Sequence, residues 1–243
     1  MQNFFLHPQI RPQATGGRKA HDNLCKNAIP ACRKAGIDVI FLNWGLTEED
    51  LTSMPASLRH NFSRSLTDPA NAPGQGKGDG KGTVVGMGED MGAVTQEDGT
   101  TIQAGKELMR DQWNTKLWGK LDEVWEEASK GGAYKDTTYW VHKNRASGLS
   151  IGSGISAMST HLSDKARQPP TKTLLFAGVN TDQCVYGSFI DATTLGYDCI
   201  LLEDCCATTS PEYATQASLF NCSRNGFVVD SSSLVEGAER FSA

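Results

Sequence analysis

The residue best suited to do chemistry is Cys184, which follows an apolar segment and a short polar turn. Residues 174–177 (Leu-Leu-Phe-Ala) are typical of a buried strand, and a helix is predicted to begin close to Cys184. Free N–H groups and the positive end of the helix dipole favour a thiolate there, and the same N–H groups can hold an oxyanion. The sequence offers Cys184 as a candidate nucleophile. The alternative is a small buried side chain, the usual role of a free cysteine.

A second candidate is Lys143, which ends the predicted strand segment 139–143. The carboxyl ends of parallel strands meet at one edge of a sheet, so Lys143 is expected near Cys184. A lysine there can stabilise a thiolate or an anionic intermediate and orient a general acid or base. The alternative is a solvated lysine in a charged loop beside Arg145.

Apolar periodicity predicts the elements that must position these two side chains. Helices are expected at residues 18–35, 106–128, 155–164, 182–195 and 212–221, with a capped helical turn at 47–50. Strands are expected at residues 37–42, 137–142, 173–177, 199–202 and 227–229. This alternation predicts a three-layer α/β/α architecture with a mainly parallel sheet.

The chain length predicts a single domain, and one segment within it is unusually rich in glycine. A chain of 243 residues suits one domain, here 1–243, with a glycine-rich loop or insertion at about 71–92. Phosphate binding by that loop is the alternative, but Gly80-Lys81 is followed by Gly82, whereas a phosphate-binding loop needs Ser or Thr there.

The charge and the cysteine content indicate where the protein acts. A net charge of -5 argues against nucleic-acid or anionic-membrane partners, and no long apolar run predicts a membrane span. The first twenty residues do not have the pattern of a signal peptide. Seven cysteines, an odd number, favour free thiols in a reducing compartment, so we predict a cytoplasmic protein.

Residues 178–185 (Gly-Val-Asn-Thr-Asp-Gln-Cys-Val), followed by Asp191-Ala192 and Gly196-Tyr197, resemble the nucleophile segment of isochorismatase-like cysteine hydrolases. That superfamily includes nicotinamidases, N-carbamoyl amidohydrolases and ureidoacrylate amidohydrolases. Residues 141–143, with Ser147-Gly148, resemble its lysine motif, and residues 1–5 resemble the segment after its first strand. The resemblance therefore covers nearly the whole chain. The glycine-rich segment and residues 43–46 resemble a fungal-type branch. The implied fold is the Rossmann-like hydrolase fold of this family.

The resemblance implies a mechanism for hydrolysis of a C–N bond in a small molecule, without a cofactor. Cys184 attacks an amide or carbamoyl carbonyl and forms a thioester, while the N–H groups of Asn180 and Cys184 hold the oxyanion. A cis peptide is implied at Val179–Asn180, and Lys143 assists an aspartate that shuttles protons. A homo-oligomer is also expected. By their positions at strand ends, candidate substrate contacts are Phe5, Trp44 and Asn180, and Trp113 is a further candidate.

The aspartate of that triad has no counterpart at its usual place. In the family it ends the first strand in an Asp-x-Gln pattern, and here it would fall immediately before Met1. Loss of that interior strand would open two rows of backbone hydrogen bonds. Three hypotheses follow: an N-terminally truncated sequence, which we favour, an inactive member, or another carboxylate among Asp22, Asp90 and Asp182. We expect little or no hydrolysis by the 243-residue chain and activity once the strand and aspartate are added.

Four other functions compete with this interpretation. Residues 148–152 form a Gly-x-Ser-x-Gly pattern, which is typical of one class of serine hydrolase. That class needs the order Ser, then Asp or Glu, then His, and here no acidic residue lies between Ser150 and His161. Histidine spacing does not indicate a metal site, so we predict no metal. Vinyl-ether cleavage of the isochorismatase type relies on the aspartate and not on a cysteine. A non-catalytic binding module is the fourth possibility.

Overall fold

The computed structural model describes residues 1–59, 62, 86–96, 98–149, 162 and 170–241. The helices are α1 Asn3–Leu6, α2 Thr15–Asn23, α3 Ile29–Lys34, α4 Glu48–Ser53, α5 Ala56–Arg59, α6 Lys120–Ser129, α7 Tyr186–Thr194, α8 Glu212–Asn225 and α9 Ser231–Phe241. The strands are β1 Val39–Trp44, β2 Ala93–Thr95, β3 Thr101–Gln103, β4 Thr138–Lys143, β5 Thr173–Val179, β6 Asp198–Ala207 and β7 Phe227–Val229. No helix within these ranges is long and apolar enough to cross a membrane.

The parallel strands fall into two groups. β1 pairs with β4, and β5, β6 and β7 pair in that order, all in parallel. β2 and β3 form a separate antiparallel pair. In the described part of the chain, β1 therefore has one paired edge, and so does β5.

Both groups share one helical layer on each face. Ile40 and Leu42 of β1 and Leu174 and Phe176 of β5 pack against the cluster around Phe189 of α7. Side chains alternate between the two faces of a strand, so the intervening residues point the other way.

On that other face, Phe41 packs with Ile29 of α3, and Leu175 packs with Ala28 in the turn before α3. Leu24 touches both clusters and joins them. The strands thus form a central layer between two layers of helices, and the α/β prediction is confirmed.

The predicted helix at 18–35 is confirmed, with a π-helical turn at Leu24–Ala28 inside it. Pro30 has no N–H to donate, which disfavours regular α-helical pairing at this point. The N–H of Ile29 donates to the carbonyl of Leu24, five residues back. Gly36, with φ of 68°, ends the segment before β1.

The predicted helical turn at 47–50 is also confirmed, as the start of α4. Thr47 accepts a hydrogen bond from the N–H of Asp50, and the Asp50 carboxylate accepts one from the N–H of Thr47. Asp50 also accepts a bond from Asn144 Nδ2 at 2.5 Å, which ties α4 to the loop after β4.

The predicted helix at 106–128 is wrong over its first half, since α6 begins only at Lys120. Leu108 and Asp111 have positive φ values of 56° and 62°, which a regular helix excludes. Asn114 fixes this irregular backbone, because its side chain accepts from the N–H of Leu108 and donates to two carbonyls. Leu108 and Leu117, which contributed to the helix prediction, are buried from this irregular segment.

Other boundaries differ less. β6 continues to Ala207, well past the predicted residues 199–202, and α8 continues to Asn225. The pair β2–β3 and the helix α9 were not predicted. The glycine-rich residues 71–85 and most of the helix predicted at 155–164 lie outside the described residues.

A buried acidic residue, Glu107, lies in the loop before α6 and interacts electrostatically with Arg11 of the N-terminal segment. Burial raises the pKa of its carboxyl to about 7, against the opposing charge of Arg11. Arg11 in turn lies over the ring of Phe4, with its guanidinium carbon 4.5 Å from the ring centre.

Glu107 should make stability fall with rising pH. Its folded pKa lies above its ordinary value of 4.5, so its contribution is complete below about pH 4.5 and is lost as pH rises through 7. The free energy of unfolding should fall less between pH 4.5 and pH 8 in Glu107→Gln than in the unsubstituted protein, by about 3 kcal/mol. Urea unfolding at the two pH values measures this, with the exposed Glu89→Gln as control. Equal pH dependence in both variants would contradict it.

Candidate active site

Cys184 lies in a π-helical turn, Thr181–Val185, between the end of β5 and the start of α7. The peptide bond Val179–Asn180 is cis, the conformation that the family resemblance implies. The N–H groups of Gln183 and Val185, on either side of Cys184, both donate to the carbonyl of Asn180 at 3.2 Å. The thiol is half-buried, so it is held in place and still faces a cavity.

Lys143 ends β4 and is 4% exposed. Its Nζ donates to the carbonyls of Arg145 at 2.9 Å and Ala146 at 2.7 Å, and lies 4.1 Å from the centre of the Trp44 ring. Burial lowers the pKa of Lys143, while its interaction and side-chain hydrogen bond with Cys184 act in the opposite direction. The structure thus brings together the two side chains that the sequence singled out.

The N-terminal residues approach the same place. Gln2 is buried, and its Nε2 donates to the carbonyls of Trp44 at 2.7 Å and Thr115 at 2.8 Å. Its Oε1 accepts from the N–H of Trp44 at 3.1 Å. Burial lowers the pKa of the Met1 amine to about 5; the charge of Lys143 lowers it further, and Cys184 acts in the opposite direction. Met1 therefore lies within electrostatic reach of both.

A cavity of about 390 Å³ extends between β1 and β5. All residues of both strands line it, and its walls are mainly apolar along their length. At the carboxyl end of the strands, the lining also includes polar, aromatic and sulfur-containing side chains. These are Met1, Gln2, Phe5, Trp44, Lys143 and Cys184.

Two of the four predicted substrate contacts, Phe5 and Trp44, line this cavity. Trp113 does not line it: its ring packs at 5.1 Å on His7 and its carbonyl accepts from Asn3 at 3.0 Å. Its contact with the substrate stays a prediction. Asn180 adjoins the lining through Val179, and its side chain donates to Gln183 at 3.3 Å.

None of the three acidic residues considered as substitutes lines the cavity. Asp22 is largely exposed beside His21, and Asp90 accepts from the N–H of Gly92 in an exposed turn. Asp182 is close in sequence to Cys184, and its Oδ1 is buried without a hydrogen-bond partner among the described residues.

The remaining cysteines differ from Cys184 in their surroundings. Burial raises the pKa of the Cys32 thiol to about 11 and of the Cys205 thiol to about 12. Burial likewise raises the pKa of Cys25, Cys199, Cys206 and Cys222. A thiol that stays protonated is a poor nucleophile, so these six are suited to packing.

Two buried hydrogen-bond donors near the site were not predicted from the sequence. Asn43 Nδ2 and Trp44 Nε1 have no hydrogen-bond partner in the described part of the chain, and both residues line the cavity. The only signal in the sequence was their position at the end of a strand. Within the described ranges, no three His, Cys, Asp or Glu side chains gather to hold a metal ion.

Known proteins resemble this chain in sequence profile and in fold. The sequence profile of the Isochorismatase domain matches residues 93–233, more than half of the chain. An isochorismatase family protein from Desulfovibrio vulgaris has a similar structure, with a TM-score of 0.62, 15% identity and coverage of 99% of this chain and 95% of that one.

Two further structures carry more specific names. Nicotinamidase/pyrazinamidase from Bacillus subtilis has a TM-score of 0.58 and 16% identity, over 94% of each chain. N-carbamoylsarcosine amidase from Thermoplasma acidophilum has a TM-score of 0.51 and 16% identity, over 95% of this chain and 92% of that one. The profile match and the shared fold together mean that the chain belongs to the isochorismatase family of hydrolases.

Proposed function

We propose that the protein hydrolyses a C–N bond in the amide or carbamoyl group of a small molecule, with Cys184 as nucleophile. The observation that carries the proposal is the buried Lys143 ammonium beside the Cys184 thiol at the wall of the cavity. The names of two similar structures, a nicotinamidase and an N-carbamoylsarcosine amidase, describe cleavage of such bonds and support the same class.

In the first step, the sulfur of Cys184 attacks the carbonyl carbon and the C–N bond breaks, which leaves a thioester and a free amine. Lys143 favours the thiolate by its positive charge, and it is fixed near the sulfur by two carbonyls. In the second step, water attacks the thioester, releases the acid and restores the thiol.

The negative charge on the carbonyl oxygen needs fixed donors in both steps. The N–H groups of Asn180 and Cys184 are our candidates, since the turn Thr181–Val185 holds this backbone in place. A proton must also move from the thiol to the leaving amine and from water back to sulfur. That transfer requires a carboxylate beside Lys143, for which the family aspartate is the model.

Phe5 and Trp44 are proposed to contact the substrate. Both line the carboxyl end of the cavity, and Trp44 Nε1 is a buried donor that can bind a polar atom of the substrate. A planar apolar group fits between such rings.

Vinyl-ether cleavage is the rival chemistry, and it gives no role to a thiol. The pairing of Cys184 with Lys143 therefore favours C–N hydrolysis. A non-catalytic binding role is the other alternative, and it predicts no turnover of any compound in the screen.

The test is a screen of small amides, carbamoyl compounds and isochorismate with two versions of the protein. One is the 243-residue chain, and the other carries six apolar residues and an aspartate directly before Met1. We expect amide or carbamoyl turnover at least about a hundredfold higher in the extended version, because a positioned acid/base contributes that much. An extension ending in asparagine is the matched control.

Comparable turnover by the two versions on one substrate would overturn the required role of the added carboxylate. Turnover of isochorismate alone would favour the rival chemistry. A complete lack of turnover would favour the non-catalytic role.

A further inference from the structure

The outward side of α8 carries large aromatic side chains where a surface helix normally carries polar ones. Ser218 and Cys222 are buried on the inward side, and Cys222 packs in the cluster around Phe189 of α7. Tyr213 and Phe220 lie two turns apart on the opposite side and are 73% and 65% exposed. An amphipathic surface helix directs its apolar side chains to the core, so these two rings are placed against the usual pattern.

The aromatic surface continues beyond the end of α8. Phe227 follows the helix by two residues, begins strand β7 and is 62% exposed. Within the described part of the chain, β7 pairs with β6 alone and is therefore an edge strand. We use the term α8 face for the exposed residues from Glu212 to Arg224 that lie opposite Ser218, together with Phe227.

The apolar area of the α8 face suits a stable protein–protein interface. A buried aromatic side chain removes about 150–250 Å² from solvent, so the rings of Tyr213, Phe220 and Phe227 offer on the order of 400 Å² at their exposures. A standard interface buries about 800 Å² on each partner, and somewhat more than half of that area is apolar. The three rings thus supply most of the apolar area that one partner needs.

The charges of α8 fit a second copy of the same helix. Glu212 begins α8 and Arg224 lies in its last turn, about 18 Å away along the axis, and no other residue of this helix is charged. Neither forms a salt bridge within the described ranges of the single chain, and Glu212 accepts a hydrogen bond from Gln216 at 3.4 Å. An antiparallel crossing of two such helices brings each Glu212 to the partner's Arg224.

The same antiparallel register also matches large side chains with smaller ones. It places Phe220 opposite the partner's Gln216, and Tyr213 opposite the partner's Ser223. A two-fold axis repeats every contact, so one self-complementary surface is enough for both copies. A parallel crossing would instead bring like charges together at both ends of the helices.

We propose that the α8 face binds the α8 face of a second copy of this chain, in a two-fold symmetric dimer with the two helices antiparallel. The rings of Tyr213, Phe220 and Phe227 form the apolar centre of the interface, and the two pairs of Glu212 with Arg224 lie at its ends. The dimer does not depend on the proposed hydrolysis, because none of these residues lines the cavity beside Cys184.

The first experiment is sedimentation velocity of the 243-residue chain between about 1 and 100 µM. We expect a monomer–dimer equilibrium with a Kd of about 10 µM or tighter, within the range for interfaces of this size. Phe220→Glu puts a carboxylate from each copy into the centre of the interface and should raise the Kd at least about a hundredfold. Leu195→Glu is the matched control, since Leu195 is also apolar and 58% exposed but lies at the end of α7.

Charge reversal tests the identity and the direction of the partner. Glu212→Arg and Arg224→Glu each place like charges at both ends of the interface, so each should raise the Kd about tenfold. The double variant restores opposite charges and should return the Kd to within about threefold of the unsubstituted chain. Circular dichroism confirms that each variant keeps its helices.

Three outcomes would overturn the proposal. A chain that stays monomeric at 100 µM would leave the α8 face to a different partner. A dimer that is unaffected by Phe220→Glu would use another surface. A double charge variant that binds itself no more tightly than the single variants would exclude the antiparallel arrangement. Each of these outcomes leaves the proposed hydrolysis untouched, since turnover is measured separately.

Discussion

Replacing Cys184 by alanine should abolish amide and carbamoyl hydrolysis in the aspartate-extended protein. The mechanism forms a thioester on this sulfur, so kcat/KM should fall by at least about a thousandfold. The side chain is half-buried and small, and the variant should fold normally. The measurement is kcat/KM on the best substrate of the screen, with Cys25→Ala as a control because Cys25 does not line the cavity.

Chemical labelling gives an independent readout of the same assignment. Burial raises the pKa of the other six thiols, so iodoacetamide should modify Cys184 first and activity should be lost in parallel. Uniform labelling of all seven cysteines would count against a special role for Cys184. Retention of vinyl-ether cleavage in Cys184→Ala, without amide hydrolysis in either protein, would identify the rival reaction.

Replacing Lys143 by methionine should lower kcat by about a hundredfold to ten-thousandfold. Methionine keeps most of the length and apolar volume but removes the charge that lies beside Cys184 and over the Trp44 ring. Steady-state kinetics on the extended protein measures the effect. The control is Lys106→Met, because Lys106 is exposed and paired with Glu48 at 2.9 Å.

The reactivity of the Cys184 thiol distinguishes a catalytic role of Lys143 from a purely structural one. In Lys143→Met, the rate of Cys184 alkylation at neutral pH should fall, because the stabilising charge is gone, even where circular dichroism reports an unchanged fold. Unchanged alkylation together with full activity would remove Lys143 from the mechanism.

The regular elements around Cys184 were predictable because local signals determine them. An apolar strand followed by a polar turn and a helix was enough to locate β5 and α7, and the Thr47 capping box was visible in the residues themselves. The family resemblance added the position of the cis peptide at Val179–Asn180. These features depend on neighbours in sequence.

The segment before α6 was not predictable by the same means. Trp113, Leu117 and Leu121 have helical spacing, but Leu108 and Leu117 are buried in different clusters, from an irregular backbone that Asn114 holds by side-chain hydrogen bonds. Hydrogen bonds between a side chain and the backbone of a loop leave no periodic pattern in the sequence. The same is true of Gln2, whose two buried partners, Trp44 and Thr115, are far away in sequence.

Trp113 is a candidate substrate contact whose surroundings differ from those of Phe5 and Trp44. Its ring packs against His7 and does not line the cavity, and its contact with the substrate stays a prediction. Aromatic side chains more often fill cores than line sites, because their large apolar surface gains most from burial.

The way in which Lys143 is held affects its entropy during turnover. A lysine side chain has several rotatable bonds, and fixing them costs up to about 2 kcal/mol. Here the contacts to the carbonyls of Arg145 and Ala146 and to the Trp44 ring impose that loss when the chain folds. The ammonium group is therefore already ordered when a substrate arrives, and binding energy need not be spent on immobilising it in each cycle.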